Sequence, residues 1–213
     1  MAKFINGAIG TFSGKVGSII GANWRDIHYM RGLPKKRTKP FTEAQLAQQQ
    51  RFGLMGQFLM PLKGVLEIGL SNMDDSTATL FNRAMALNLP AVTGTYPDFT
   101  IDYASVQLSK GRLDPPRGVA AATASGAVTV SWNPAANRLA GGNGDDDIYV
   151  LLYDREQGLF YTSDEIATRS AGQVEIPLDE DTAGHTGEVW LFAVSRYGQL
   201  ISNTVYGGSH QLV

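Results

Sequence analysis

Apolar and polar residues alternate along much of the second half of the chain. Val128, Val130 and Trp132 alternate with polar residues, and residues 148–153 form a nearly continuous apolar run that is typical of a central strand. Clusters of turn-forming residues recur between such segments, so residues 115–207 are predicted to form a sandwich of about seven strands. The other predicted strands are residues 173–178, 187–195 and 200–206, the last two forming a hairpin around residues 196–199.

A helical period replaces this alternation over residues 42–89. Thr42 and Gln45 have the spacing of a capping box, which predicts a helix start. Pro61 must kink or break this helix, because it removes one hydrogen bond and clashes with the preceding turn. A second helix is predicted over about residues 77–89. The apolar stripe predicted for the first helix consists of Phe52, Met55, Leu59, Leu62 and Leu66.

A strand is predicted from Phe99 to about Leu108, and the following segment 113–116 (Leu-Asp-Pro-Pro) is the clearest linker in the chain. We therefore predict an α+β fold with a domain boundary after residue 113. Residues 1–113 would form an N-terminal domain with a Gly-rich hairpin, two helices and a strand. Residues 114–213 would form an all-β, immunoglobulin-like sandwich.

The first fifty residues contain a ladder of glycines with two interpretations. On a helix, the spacing of three and four residues would leave one bare face for close approach of another backbone, although each interior Gly disfavours a helix by roughly 0.5–1 kcal/mol. The alternative, which we favour, is a Gly-interrupted hairpin in which residues 15–21 pair with residues 24–31. In either case the segment cannot bury itself alone and needs a partner. The glycines are Gly7, Gly10, Gly14, Gly17 and Gly21.

Charge is distributed unevenly along the chain. Residues 1–40 have eight basic residues and one acidic residue, a net charge of +7, whereas residues 114–213 have five basic and thirteen acidic residues, a net charge of −8. Pro34 and Pro40 flank a dense basic run, so residues 31–41 are predicted to form an extended, exposed basic arm. Opposite poles of this kind suit head-to-tail contacts between subunits, and they equally suit nucleic-acid binding at one end.

Several classes of function lack their usual residues. The chain has no Cys and only three His residues, with no spaced set of His and carboxylates, so we predict no catalytic residue, metal site, cofactor or small-molecule substrate. Gly14-Lys15 does not complete a phosphate-binding loop, because Ile9 and Val16 hold the positions of the required Gly and hydroxyl residue. The acidic segments 143–147 and 179–181 do not match a calcium-binding loop.

The chain has no run of eighteen apolar residues, which predicts no membrane span, and its start is a poor secretory signal, which predicts cytoplasmic synthesis.

The second half resembles a fibronectin type III domain. The resemblance lies in residues 128–134 (Val-Thr-Val-Ser-Trp-Asn-Pro) and in Ala193-Val194-Ser195 with Gly198, and it covers roughly residues 115–207. Gly187 stands where the corner tyrosine of that fold belongs, so another immunoglobulin-like sandwich stays open. The resemblance implies a binding or spacing module.

The N-terminal half is similar to an uncharacterised protein family from Bacteroidetes genomes. This resemblance extends over the whole chain and implies no established activity. Residues 40–45 are also similar to helix starts in some phage and prophage structural proteins. The segments that carry the family resemblance are residues 4–7, 12–17, 30–31, 34–36 and 42–46.

These observations predict a non-enzymatic structural protein that self-assembles, as a virion or prophage-derived particle component, with its basic arm docking head to tail on an acidic sandwich of a neighbour. The first alternative is a nucleic-acid-associated protein that uses the aromatic-bearing basic arm. The second alternative is a surface adhesion module. The residues predicted at the interface are Trp24, Tyr29, Arg31, Lys35, Lys36, Arg37, Lys39, Gly10, Gly14 and Gly17.

Overall fold

A computed structural model describes residues 2–3, 12–24, 27–36, 38–73, 78–124 and 126–213. The chain forms two compact units, Met1–Thr42 and Glu43–Val213, and the predicted α+β class is confirmed. The predicted boundary after residue 113 differs from this division, and the reason lies in the core described below.

The N-terminal unit is an antiparallel sheet with the strand order β1-β4-β3-β2. The prediction of strand over helix is confirmed from Gly14 onward, whereas Gly7 and Gly10 lie outside the described residues. The predicted pairing of residues 15–21 with residues 24–31 is wrong in part. The chain turns at Gly17 and Ser18, so residues 14–16 pair with residues 19–21, and residues 19–24 pair with residues 27–32. The strands are β1 (Ala2–Lys3), β2 (Gly14–Val16), β3 (Ile19–Trp24) and β4 (Ile27–Gly32).

The second unit begins with helices α1 (Glu43–Leu59), α2 (Lys63–Gly69) and α3 (Leu80–Asn88). The predicted start after Thr42 and the predicted break at Pro61 are confirmed. Thr79 caps α3, because its hydroxyl oxygen accepts a hydrogen bond from the backbone N–H of Asn82.

The predicted apolar stripe of α1 is wrong at one position. Phe52 is 47% exposed, whereas Phe58 is 5% exposed and lies in the core beside Met55 and Leu59. Phe58 is three residues from Met55, on the same side of a helix with 3.6 residues per turn, so the buried stripe passes through Phe58 rather than Phe52.

A short hairpin follows, formed by β5 (Val92–Thr95) and β6 (Asp98–Ile101). The strand predicted to reach Leu108 is therefore wrong beyond Ile101. The backbone N–H groups of Leu108 and Ser109 donate to the hydroxyl of Thr204 instead of to a neighbouring strand. Side-chain acceptors thus replace the ladder that would have extended the strand.

Two antiparallel sheets make up the rest of the unit, with the strand orders β12-β8-β7 and β10-β9-β13-β14; β11 also pairs with β9. The predicted hairpin at the end is interrupted, because Ile201 makes only an isolated bridge to Val194 before the last strand begins. The strands are β7 (Arg117–Ala124), β8 (Ala127–Asn133), β9 (Asp147–Asp154), β10 (Leu159–Thr162), β11 (Ala167–Thr168), β12 (Gln173–Pro177), β13 (Thr186–Val194) and β14 (Val205–Gln211).

Two apolar clusters hold this unit together, and β13 contributes to both. Val189 and Leu191 point into the cluster between the two sheets, where Val128, Val130 and Trp132 are buried as predicted. Trp190 and Phe192 point the opposite way and pack with the helices. Residues 43–113 therefore share a core with the larger sheet, which is why the compact unit extends from Glu43 to the end.

Candidate functional site

The strand pairing of the N-terminal sheet brings three predicted interface residues to one face. Trp24 lies opposite Ile27, Tyr29 opposite Ala22, and Arg31 opposite Ile20. Directly opposed residues share a face and successive residues alternate, so Trp24, Tyr29 and Arg31 lie on the same side of the sheet. We call this side, with Lys15, Ile20 and Ile27, the aromatic–basic face.

The aromatic–basic face is open to solvent. Trp24 is 46% exposed and Ile27 38% exposed, and both Lys15 and Arg31 are exposed. Exposed side chains of this size on neighbouring strands form a continuous apolar patch bordered by cations, which is typical of an interaction surface.

The basic arm continues from the end of β4. Lys35, Lys36 and Lys39 are exposed, and residues 33–36 and 38–42 lie outside any helix or strand. Arg37 lies outside the described residues. The arm thus presents its cations within a few residues of Arg31, at the border of the aromatic–basic face.

Two of the glycines predicted at the interface, Gly14 and Gly17, lie in the strands and the turn of this sheet. Gly14 has a φ of +113° and Gly17 a φ of +58°, values that favour glycine, and Gly17 forms the tight turn between β2 and β3. Gly21 lies against Phe12, which would collide with any side chain there. These residues shape the sheet instead of forming a bare helical face, and Gly10 lies outside the described residues.

The opposite face of this sheet is also exposed. Val16 is 63% exposed and Ile19 43% exposed, and among the described residues of the N-terminal unit only Gly21 is buried. An antiparallel sheet normally buries one face against a core. In the described part of this unit neither face has such a core.

A cluster of carboxylates lies at one end of the sandwich. The exposed residues Glu156, Asp179 and Asp181 lie near Tyr161 and His185, and Asp179 accepts a hydrogen bond from the Tyr161 phenol at 3.2 Å. Burial, and then Asp179, raise the pKa of Tyr161 to about 12. We call Glu156, Asp179 and Asp181, with the buried Asp154, the acidic end. No Lys or Arg among the described residues forms an ion pair with these four carboxylates.

His185 is the basic partner within the acidic end. Its Nδ1 lies 2.7 Å from a carboxylate oxygen of Asp154, and the other oxygen of Asp154 accepts from the backbone N–H groups of Glu156 and Gln157. Burial alone would raise the pKa of Asp154, but the hydrogen bonds from His185 and these amides lower it overall. The same contact with Asp154 raises the pKa of His185.

Asp154, Glu156 and His185 are close enough to hold a metal ion together, with their ligand atoms within 4.8 Å of one another. Hydrogen bonds already hold these three side chains in place. His185 and Asp154 bond to each other, and Glu156 accepts from the backbone N–H of Thr186 at 2.8 Å. The arrangement is therefore that of a hydrogen-bonded ion pair.

The acidic segment 143–147 forms a different structure from the acidic end. Asp146 is buried and lies 3.1 Å from Nε of the buried Arg169, whose Nη1 is 3.8 Å from Asp114. The exposed Asp145 pairs with Arg196 at 3.2 Å. Asp146 thus serves as the counter-ion of a buried arginine, a role that sequence patterns did not reveal because the two residues lie 23 positions apart.

A pocket of about 440 Å³ opens where α1, β6, β9 and β10 meet. Five aromatic side chains and the Arg155 guanidinium line it, together with Gln57 and Thr100. Sequence patterns indicated no role for these residues, because they come from three distant parts of the chain, residues 54–58, 99–103 and 153–160. The aromatic residues are Phe58, Phe99, Tyr103, Tyr153 and Phe160.

The fold is that of an α+β protein. Helices lie on one face of a two-sheet sandwich, and a small antiparallel sheet precedes them in the chain. The sequence model of a family of unknown function, DUF6266, matches residues 11–208. The chain belongs to this family, which confirms the resemblance to an uncharacterised family, and the match includes strands of both compact units. A comparison with individual curated proteins finds no match.

Among the described residues, none of the helices has the length and apolar character needed to cross a membrane.

Proposed function

We propose that the chain is a non-enzymatic structural protein that self-assembles head to tail, as a component of a virion or prophage-derived particle. The observation that carries the proposal is the N-terminal sheet, whose described residues have no core of their own while they expose Trp24, Ile27 and Arg31 on one face. A second copy of the chain covers that face.

Charge complementarity identifies the surface of the second copy. The aromatic–basic face and the arm carry Lys15, Arg31, Lys35 and Lys36, and residues 1–40 have a net charge of +7. The acidic end presents Glu156, Asp179 and Asp181 within a segment, 114–213, of net charge −8. Two different complementary patches form a heterologous contact, which joins copies head to tail.

The small area of the N-terminal sheet indicates that the basic arm also takes part in the proposed contact between copies. The two six-residue strands β3 and β4 span about 20 Å, the shorter β1 and β2 span less, and four strands span about 14 Å across, so one face covers at most roughly 300 Å². A stable interface needs about 800 Å² from each partner. The aromatic–basic face supplies less than half of this, and Lys35, Lys36 and Lys39 must contribute the remainder with residues around them.

We also propose that the two-sheet sandwich is a fibronectin type III-like module and that the family is one from Bacteroidetes genomes. The strand orders β12-β8-β7 and β10-β9-β13-β14 support this, because they correspond to the sheets A-B-E and C-F-G of an immunoglobulin sandwich with one further strand beside C. A module of this kind spaces or binds partners and performs no chemistry of its own.

Nucleic-acid binding is a second candidate, supported by the exposed Trp24 and the exposed Lys35 and Lys36 in the same N-terminal unit. Under this alternative, labelled single-stranded DNA or RNA binds at about 50 mM salt with an affinity that falls steeply as salt rises. The acidic sandwich opposes it by repelling the polyanion.

Light scattering coupled to size exclusion tests self-assembly directly. We expect the mass to rise with protein concentration at low salt and to fall toward the monomer as salt screens the contact. Trp24→Ala should weaken assembly, whereas Tyr197→Ala, which removes another exposed aromatic residue, should not. A wild-type protein that stays monomeric at high concentration and low salt contradicts the proposal.

A further inference from the structure

We call Glu43–Val213 the helix–sandwich unit, and we infer that its aromatic pocket binds a small molecule in which a carboxylate is attached to a flat apolar body. This site adjoins the acidic end along the chain but is formed by other side chains, and the inference does not depend on the proposed function. Its volume of about 440 Å³ lies within the range of about 300–1,000 Å³ that is usual for small-molecule sites.

The apolar part of the pocket is preformed by mutual ring packing. Phe58 lies edge-on to Tyr153 with centroids 5.1 Å apart, and Phe160 lies 4.6 Å from Tyr153. Phe58 is fixed in α1 and is 5% exposed, so the rings are held by the core of the unit. A flat ligand can pack on these rings without reorganising them.

The polar part of the pocket is a convergence of donors. The guanidinium carbon of Arg155 lies 5.2 Å from the centre of the Tyr103 ring, and the phenols of Tyr103 and Tyr153 lie close enough to influence each other. Both phenols are protonated at neutral pH, and burial raises the pKa of each further; because the Tyr153 hydroxyl hydrogen-bonds to that of Tyr103, the Tyr103 hydroxyl is the one left to donate to a ligand.

Arg155 has spare capacity for an anion. Its only ion-pair partner among the described residues is Glu188, at 3.6 Å, which is longer than a hydrogen bond. Glu188 is buried and also accepts a hydrogen bond from Tyr206. A guanidinium has five N–H donors, and this side chain is 48% exposed, so a ligand carboxylate can bind it in the bidentate geometry that arginine favours.

The charge of the pocket excludes the basic arm of a neighbour as the occupant. Arg155 would repel the cations of the arm, whereas the carboxylates of the acidic end, which include its chain neighbours Asp154 and Glu156, attract them. The pocket and the acidic end therefore suit ligands of opposite charge.

Calorimetric titration of the full-length protein with 2-naphthoate, and with the neutral 2-naphthamide, tests the inference. We expect the wild type to bind naphthoate more tightly than naphthamide. Arg155→Gln should weaken naphthoate binding roughly tenfold or more while changing naphthamide binding little, because only the carboxylate interacts with the charge. Arg138→Gln, which removes an exposed arginine away from the pocket, is the matched control.

Phe160→Ala provides the second variant and tests the apolar wall. It should weaken the binding of both naphthoate and naphthamide, because both ligands would contact this ring. Urea unfolding of each variant checks that the fold is intact. No naphthoate binding by the wild type, or equal naphthoate affinity in the wild type and Arg155→Gln, would overturn the inference.

Discussion

The N-terminal sheet and the helix–sandwich unit are both built on antiparallel strands, but they differ in how their side chains are covered. In the helix–sandwich unit, β13 is buried on both faces, by the second sheet on one side and by the helices on the other. In the N-terminal sheet, Gly21 is the only buried residue among those described, and Val16, Ile19 and Trp24 are exposed on its two faces. The helix–sandwich unit is therefore stabilised from within, and in the proposed assembly the N-terminal sheet would gain its burial from a second copy of the chain.

Removing the buried arginine should give the largest effect on the helix–sandwich unit. Arg169→Met leaves the buried Asp146 without its cation and leaves Asp114 with Arg117 alone, and breaking a buried ion pair costs about 3–5 kcal/mol. Urea unfolding measures the change.

The control for that variant is Arg196→Met, which breaks the exposed pair with Asp145. Exposed pairs contribute at most about 1 kcal/mol, so its unfolding midpoint should stay near that of the wild type. If both arginine variants lose the same free energy of unfolding, the buried ion pairs of Arg169 do not stabilise the unit more than an exposed pair does.

Truncating aliphatic residues compares the two units directly. Leu59 is fully buried between the helices and the larger sheet, so Leu59→Ala should lower the free energy of unfolding by about 2–5 kcal/mol. Ile19 is 43% exposed in the N-terminal sheet, and Ile19→Ala should change the stability of the monomer by about 0.5 kcal/mol or less. If both substitutions cost the same in urea unfolding at low protein concentration, the contrast between the units is wrong.

A smaller effect should depend on pH through His185. The folded-state pKa of His185 is raised above its ordinary value of 6.5, so the stability from its pairing with Asp154 is fully present below that pH and is lost as pH rises through the folded pKa. Asp154 has a folded pKa below 3.8, so its contribution is present above that pH and is lost as pH falls through the folded value. The pair therefore contributes fully to the folding stability at weakly acidic pH, between the ordinary pKa of Asp154 and that of His185.

His185→Asn keeps a hydrogen-bond donor for Asp154 but has no titratable ring. We expect the wild type to exceed this variant in urea midpoint at about pH 5.5 and to lose most of that advantage at about pH 9. An advantage that does not change with pH would mean that the charge of His185 does not contribute.

Sequence patterns predicted the features that depend on local rules. The helix start after Thr42, the break at Pro61 and the inward alternation of Val128, Val130 and Trp132 follow from capping, proline sterics and strand period. The strand predicted beyond Ile101 failed because Thr204, about 95 residues away, accepts hydrogen bonds from the backbone there.

The residues of the candidate sites also differ in whether local sequence patterns could predict them. The positions of Trp24, Tyr29 and Arg31 on one face follow from the period of their strands, and their residue types alone indicated an interface. The partners of Arg155 and Arg169 come from distant parts of the chain, so composition and spacing gave no signal for the aromatic pocket or the buried charge cluster.

Charge reversal on both surfaces tests head-to-tail assembly most directly. Lys35→Glu with Lys36→Glu reverses the arm, and Asp179→Lys with Asp181→Lys reverses the acidic end; each pair of substitutions alone should leave the protein monomeric in sedimentation velocity at low salt. A chain carrying all four substitutions, or an equimolar mixture of the two double variants, should assemble again. Assembly that survives either reversal alone, or that fails to return when both are present, would contradict the proposed contact.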